Sequence, residues 1–384
     1  MLKGNMRTIK VAVCYRVLQS YRVPVFERLN EIEDIELTVF HGEDIEGSKT
    51  VNFKGATSFS TKILGGRVFS MTTRYGGVNI PINLGLYSEL KKLSPDVIIT
   101  EGASNIFNNL VAFIYSKLHR KKIIQWGLGE IRGRSRSFHR KAADVVFGVV
   151  ERKSDAAISY STFGAEYYLK KGLPADRVFV AVNVVDTEKK RSEYLSYLEK
   201  VRLGGRDGQA SLFNILFVGA LEENKRVDIL IRAFSLLEKK YDHVRLHICG
   251  DGNYRHKYEE VAKSVASNNC MFHGHVSLRL AEFFSVANIF VLPGLGGLAI
   301  SDALVHNVPV ICTIGDGCEG DLISNNGKII PEMTEERLAE EIESLINDPR
   351  KLAQWKENSY KIIDKKYNVK NYVSEIYKAI HCVL

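Results

Sequence analysis

The sequence predicts two α/β domains in tandem, each built on a doubly wound parallel sheet. Three observations predict it. Short apolar runs of strand type alternate with stretches of helical period, and the series occurs twice. The strand-like runs are apolar almost throughout, as parallel strands covered on both faces must be. Between the two series lies a charged, Gly-containing stretch, residues 188–210, poor in apolar periodicity. The 384 residues also suit two domains at about 100–200 residues each.

Ile9–Tyr15 is the first strand, Val25–Asn30 begins a helix and Ile35–Phe40 is the second strand. Ile82–Lys92 has helical spacing and leads through Ser94 and Pro95 into a buried strand, Asp96–Thr100. Helix Ile106–Leu118, strand Lys121–Trp126, helix Ala142–Arg152 and strand Ala156–Ser159 follow. Helix Phe163–Lys171 is closed by Gly172 and Pro174, and Val178–Val182 ends the series. The second series has strands at Leu212–Val218, Val244–Cys249, Met271–His273, Ile289–Leu292 and Val308–Cys312. Its helices fall at Val227–Lys239, within Gly252–Val265, at Leu278–Ala287 and from near Gly297. The expected domains are therefore 1–187 and 211–366, joined by 188–210. Ligands of such sheets bind beyond the carboxyl ends of the strands.

Composition narrows the class. Hydrophobic residues at 45% and charged residues at 26% describe a soluble globular chain. A net charge of +8 allows nucleic acid, an anionic membrane surface or a phosphate-bearing ligand as partner. The densest basic run is Arg132, Arg134, Arg136, Arg140 and Lys141, either a solvated face or a phosphate contact. No base-reading motif accompanies it, so no nucleic-acid partner is expected. The six cysteines form no CxxC pair; neither disulfides nor zinc are expected, and Cys14, Cys249 and Cys312 read as small buried hydrophobes. The first residues have no signal-peptide core. The longest lipid-like segment, Ile106–Leu118, is broken by Asn108, Asn109 and Lys117, and falls short of the roughly 18 apolar residues of a span. The expected location is cytoplasmic, with peripheral contact on the inner membrane face.

Five segments carry candidate chemistry. In Phe217–Lys225 a strand ends at Gly219, where backbone can approach a ligand, and Lys225 offers a mobile charge for phosphate; the bland alternative is a surface lysine. Gly250-Asp251-Gly252 ends the next strand, either near a ligand or as a tight turn. Phe272–Val276 presents backbone at Gly274, His275 and Val276; His273 and His275 have no carboxylate at metal spacing, so no metal site is expected. In Val291–Ile311 a glycine loop opens a helix near Gly296, Gly297, Leu298 and Ala299, whose free amides and positive dipole end suit a diphosphate. Asp302 lies close enough for ribose hydroxyls, or merely complements the dipole. The first loop offers Tyr15, Arg16 and Arg22 for stacking on or bonding to a bound sugar, with packing as the alternative. Glu101 and Glu130, each at a strand-to-loop junction, are candidates to hold a ligand hydroxyl.

VGALEENKRVDILIRAF, the GDG turn, FHGHVS, ANIFVLPGLGGLAISDALVHNVPVI and DLISNNGKII occur in order and spacing that resemble the C-terminal half of family 4 retaining glycosyltransferases. The likeness covers residues 213–346 well, and Met6 to Asp186 are compatible. It implies a GT-B fold, two Rossmann-like domains facing a central cleft, and retaining transfer from a nucleotide diphosphate sugar to a glycan or lipid-linked acceptor, without cofactor or metal. By the same likeness Lys225 neutralises the donor diphosphate, Gly297 to Ala299 cradle phosphate, Gly274 to Val276 contact the base, and Asp302 takes the place of the second glutamate of a Glu-x7-Glu motif. Residues 367–384 should form a helix crossing back to the first domain. Three positions depart from the pattern: Gly294 for the first glutamate, Ala220 for an arginine and Leu128 for a histidine. The Pro-Gly-x-x-Gly-Leu loop is similar to that of polysaccharide and O-antigen glycosyltransferases. Arg132 or Arg134 is the expected source of the missing positive charge, which makes Lys225, Glu130 and Arg132 the catalytic candidates. A catalytically inactive nucleotide-sugar-binding or scaffold protein is the alternative.

Overall fold

In a computed structural model, the structure describes residues 7–44, 51–73, 76–102, 105–130, 147–203, 212–265, 267–276 and 279–384. The chain divides into two compact units, Met1–Val182 with Lys370–Leu384, and Asn183–Val369.

The first unit holds β1 (Ile9–Tyr15), β2 (Ile35–Gly42), β3 (Ser60–Leu64), β4 (Gly66–Thr73), β5 (Gly76–Asn83), β6 (Val97–Glu101), β7 (Lys122–Gly127), β8 (Ala156–Ser159) and β9 (Val178–Val180). Seven of these form one sheet in the order β3-β2-β1-β6-β7-β8-β9, parallel at every pairing. Val11, Val13, Ile98, Ile99, Ile123 and Ile124 are completely buried, which is why their segments lack polar alternation. β4 and β5 pair only with each other, antiparallel. This corrects the expected helix at Ile82–Lys92: Ile82 and Asn83 finish β5, and the helix Leu86–Leu93 starts behind Gly85, whose φ of 87° breaks the chain direction.

Arg22 organises the centre of this unit. It is 1% exposed, and its guanidinium lies 4.9 Å from the Trp126 ring and 4.7 Å from the Tyr160 ring. It donates to the Tyr15 hydroxyl at 2.9 Å and to the Tyr372 hydroxyl. Aromatic faces and phenol oxygens together hold a charge that bare burial would penalise. Tyr372 belongs to the helix Val369–Val383, which also joins this unit through Tyr377 Oη to Asp34 (3.2 Å), His381 to Asp34 (3.0 Å) and Arg177 to the Cys382 carbonyl.

The second unit holds β10 (Phe213–Val218), β11 (Val244–Cys249), β12 (Cys270–Gly274), β13 (Ile289–Leu292), β14 (Val310–Cys312) and β15 (Gly327–Ile329). Their order is β12-β11-β10-β13-β14-β15, all parallel. The strand order reverses between β10 and β13, the switch point at which such sheets take ligands. The stretch 188–210, expected as a connection, belongs to this unit as far as it is described. It forms most of the helix Thr187–Leu203, where Arg191 donates to the Val305 carbonyl (2.9 Å) and its guanidinium stacks 3.8 Å above the Tyr360 ring. Arg191 is therefore a contact residue, while Glu188, Lys189, Glu193, Glu199 and Lys200 are exposed.

Replacing Arg22 by Met removes two charge-assisted hydrogen bonds and the ring contacts, and should cost about 2–4 kcal/mol. Tyr372→Phe should cost about half as much, since one bond goes. Denaturant unfolding followed by Trp126 fluorescence measures both.

Candidate functional site

The loops at the carboxyl ends of β10, β11 and β12 are tied backbone to backbone. Gly219 N donates to the Cys249 carbonyl (3.0 Å), and Gly250 N to the Gly274 carbonyl (2.7 Å). Leu221 N then reaches the Asp251 carbonyl, and Tyr254 N the Leu221 carbonyl. A Cβ at Gly250 would fall 1.8 Å from the Gly219 carbonyl oxygen, so no other residue fits there. Gly219, Gly250, Gly252 and Gly274, singled out from sequence, thus lie along one edge. His275 is exposed and Val276 is buried beside it.

Across the switch point, the loop after β13 lies on the 3-10 turn Glu223–Lys225. Leu295 N donates to the Asn224 carbonyl at 3.0 Å, and Lys225 Nζ donates to the Leu295 carbonyl. A Cβ at Gly294 would sit 2.1 Å from the Asn224 oxygen and 2.6 Å from Lys225 Cα. The glycine there is therefore required by backbone contact, and a glutamate cannot be accommodated. Lys225 Nζ stands 2.9 Å from where a Gly296 side chain would begin. Burial lowers the Lys225 ammonium from its ordinary value, and the negative charge of Asp316 opposes that shift. Gly297 precedes the helix Leu298–Val305, which opens with Leu298 and Ala299.

Asp302 sits one turn into that helix. Its Oδ2 is 3.6 Å from Lys190 Nζ. Its Oδ1 is buried and, among the described residues, accepts no hydrogen bond. His306 Nδ1 contacts the Asp302 carbonyl at 2.6 Å, and burial keeps this imidazole below its usual value, so it is neutral near pH 7. Asp302 consequently retains acceptor capacity.

Three residues here escaped the sequence reading: Asp316, Glu319 and Lys190. Asp316 carboxylate oxygens lie 2.4 and 2.9 Å from where a Gly297 Cβ would be. The signal was present, because Gly315-Asp316-Gly317 after β14 repeats the Gly-Asp-Gly after β11.

In the first unit, Arg16 N donates to Glu101 Oε2 at 2.9 Å, which brings these two candidates together at the carboxyl ends of β1 and β6. Tyr15 and Arg22 are corrected. They are 3% and 1% exposed and bonded to each other, so they build the core rather than touch an acceptor. Glu130 is half-buried just past β7. Arg132, Arg134, Arg136, Arg140 and Lys141 lie outside the described residues. His273 stacks on His247 with its Nε2 3.0 Å from His247 Nδ1, and packs against Phe283. It is a packing residue. Among the described residues no three His, Cys, Asp or Glu side chains are grouped to hold a metal ion.

Residues 210–362 match the family of glycosyl transferases group 1. The matched residues fall within the second unit. Among relatives, EpsD of Bacillus subtilis, named as a glycosyltransferase, is 28% identical over 206 residues, 50% of this chain and 53% of its own length. CapM of Staphylococcus aureus, a capsular polysaccharide biosynthesis glycosyltransferase, is 28% identical over 163 residues, 41% and 42% of the two chains. The chain thus spans about half the length of the relatives it matches. Among solved structures, Anabaena HepE in complex with UDP superposes with a TM-score of 0.72 over 97% of this chain and 100% of HepE, at 14% identity. The shared fold is GT-B. The switch-point loops described above lie within the matched residues.

Two measurements check this account. Gly294→Ala forces the loop off the 223–225 turn; it should cost about 1–3 kcal/mol and reduce binding of any ligand that uses Lys225, read by thermal unfolding and calorimetry. Burial and the neighbouring His273 hold His247 down at about 4, against an ordinary 6.5. The unfolded chain binds this proton more readily, so stability should be full above pH 6.5 and fall as pH drops toward 4. His247→Gln should flatten that part of the stability–pH curve.

Proposed function

We propose that the protein is a retaining glycosyltransferase that moves a sugar from a nucleotide diphosphate to a glycan or lipid-linked acceptor in cell-surface polysaccharide synthesis. The observation that carries this is the pairing of Lys225 with the glycine loop Gly294–Gly297 at the switch point, ahead of the helix Leu298–Val305. A half-buried ammonium beside backbone at a helix start favours two linked phosphates.

In the reaction the bond from the anomeric carbon to the phosphate oxygen breaks, and a bond to an acceptor oxygen forms as that hydroxyl loses its proton. The diphosphate leaves with increased negative charge. Lys225 and the amides of Gly297, Leu298 and Ala299 stabilise that charge, and such preorganised donors are worth more than a strong base in this chemistry. Asp302, with its unused acceptor capacity, takes ribose hydroxyls, and the loop Gly274–Val276 takes the base. Glu130 and Arg132 remain the first unit's catalytic candidates, with Arg16 and Glu101 toward the acceptor. That HepE is described with UDP supports the donor class, and the name of CapM supports the pathway class.

The same reading places the protein on the inner membrane face. Phe107, Ile114 and Leu118 are exposed along the helix Ile106–Leu118, with Lys117, Arg120 and Lys121 at its end. No helix among the described residues is long and apolar enough to cross a membrane.

UDP, GDP or ADP should raise the melting temperature of the wild type and leave Lys225→Ala unshifted. Because burial lowers the lysine's pKa, affinity should decline as alkaline pH is approached sooner than an ordinary lysine would allow. Turnover of a nucleotide sugar separates an enzyme from an inactive scaffold: binding without hydrolysis or transfer favours the scaffold. Vesicles containing anionic lipid should bind the wild type and release Phe107→Ser with Leu118→Ser; absence of wild-type binding removes the membrane part of the proposal.

A further inference from the structure

We propose that Asp316 is the specificity-determining residue that reads the hydroxyls of the transferred sugar. The inference rests on the donor reading above and deepens it.

The glycine loop puts opposite charges beside consecutive residues. Lys225 Nζ flanks Gly296, and the Asp316 carboxylate flanks Gly297, so close that a methyl group at 297 would overlap it. Lys225 marks the phosphate side of the pocket. An anion a residue further along repels phosphate, and a carboxylate offers only acceptors. It is favourable there when hydroxyl donors face it, and the sugar is the part of a nucleotide sugar that brings hydroxyls next to the diphosphate.

The carboxylate is also built in. Glu319 is 4% exposed and accepts the amides on both sides of Asp316, Gly315 N at 3.1 Å and Gly317 N at 2.9 Å. Asp316 Oδ1 accepts from Cys318 N at 3.2 Å. A solvated loop aspartate needs no buried glutamate to fix its neighbours; a recognition group held to one position does. Gly294, meanwhile, cannot carry a side chain because the Asn224 carbonyl occupies that space. The loop after β13 supplies no carboxylate at that position, and the loop after β14 brings one to the same glycine run.

The test compares wild type, Asp316→Asn and Lys225→Ala in the full chain, using UDP, GDP and ADP and hexoses linked to each. Asp316→Asn should leave the Kd of the nucleoside diphosphate within about twofold, while the matching nucleotide sugar binds and turns over at least about tenfold less well. Lys225→Ala should weaken both ligands. Unchanged nucleotide-sugar binding and turnover in Asp316→Asn would overturn the assignment alone. So would equal tightening of diphosphate and nucleotide sugar, which would make Asp316 a simple repeller of anions. A wild type that binds none of the diphosphates overturns the donor reading together with it. If Asp316→Asn does not fold, Asp316→Ser is judged by the same split.

Discussion

The second unit depends on one close approach: the backbone of Gly294 lies directly on the carbonyl of Asn224. That contact sets the height of the glycine loop above the sheet, brings Leu295 within reach of Lys225, and places Gly297 at the start of a helix. A side chain anywhere along this contact would lift the loop and separate the lysine from the helix start. The absence of a glutamate at 294 follows from how tightly two loops are stacked.

The first unit is held by a different device. Its central sheet is apolar, but its middle is a cation, Arg22, enclosed by Tyr15, Trp126, Tyr160 and Tyr372. The cage fixes the first loop to the helix Val369–Val383, and the contact of His381 with Asp34 and the bond from Arg177 extend the attachment. At the carboxyl end of the same sheet, Arg16 and Glu101 stay accessible while Tyr15 does not.

Much of this was legible in the sequence, and the reasons differ by element. Apolar strands such as Ile9–Tyr15 and Phe213–Val218 announce themselves because both their faces are covered. The hairpin of β4 and β5 went unseen: residues such as Gly66, Ser70, Thr72, Gly76 and Asn79 give no apolar alternation, and the two strands pair only with each other. Arg22 read as a loop cation because its burial depends on Tyr372, 350 positions away. Lys225 and the glycine loop were found from local pattern alone, whereas Asp316 required knowing that the loops after β13 and β14 are neighbours. The first-unit candidates after Gly129 were legible as a basic run, but charge spacing does not fix where such a run points.

The helix Val369–Val383 has a consequence for how the chain is made. Its side chains complete the first unit, yet the ribosome produces them only after the whole of the second. Domains that emerge early usually fold as they appear. Here the earlier-made sheet lacks the Tyr372 ring beside Trp126 and the Tyr372 hydroxyl beside Arg22 until the second unit has been synthesised. The first unit is thereby completed by the last residues to be made.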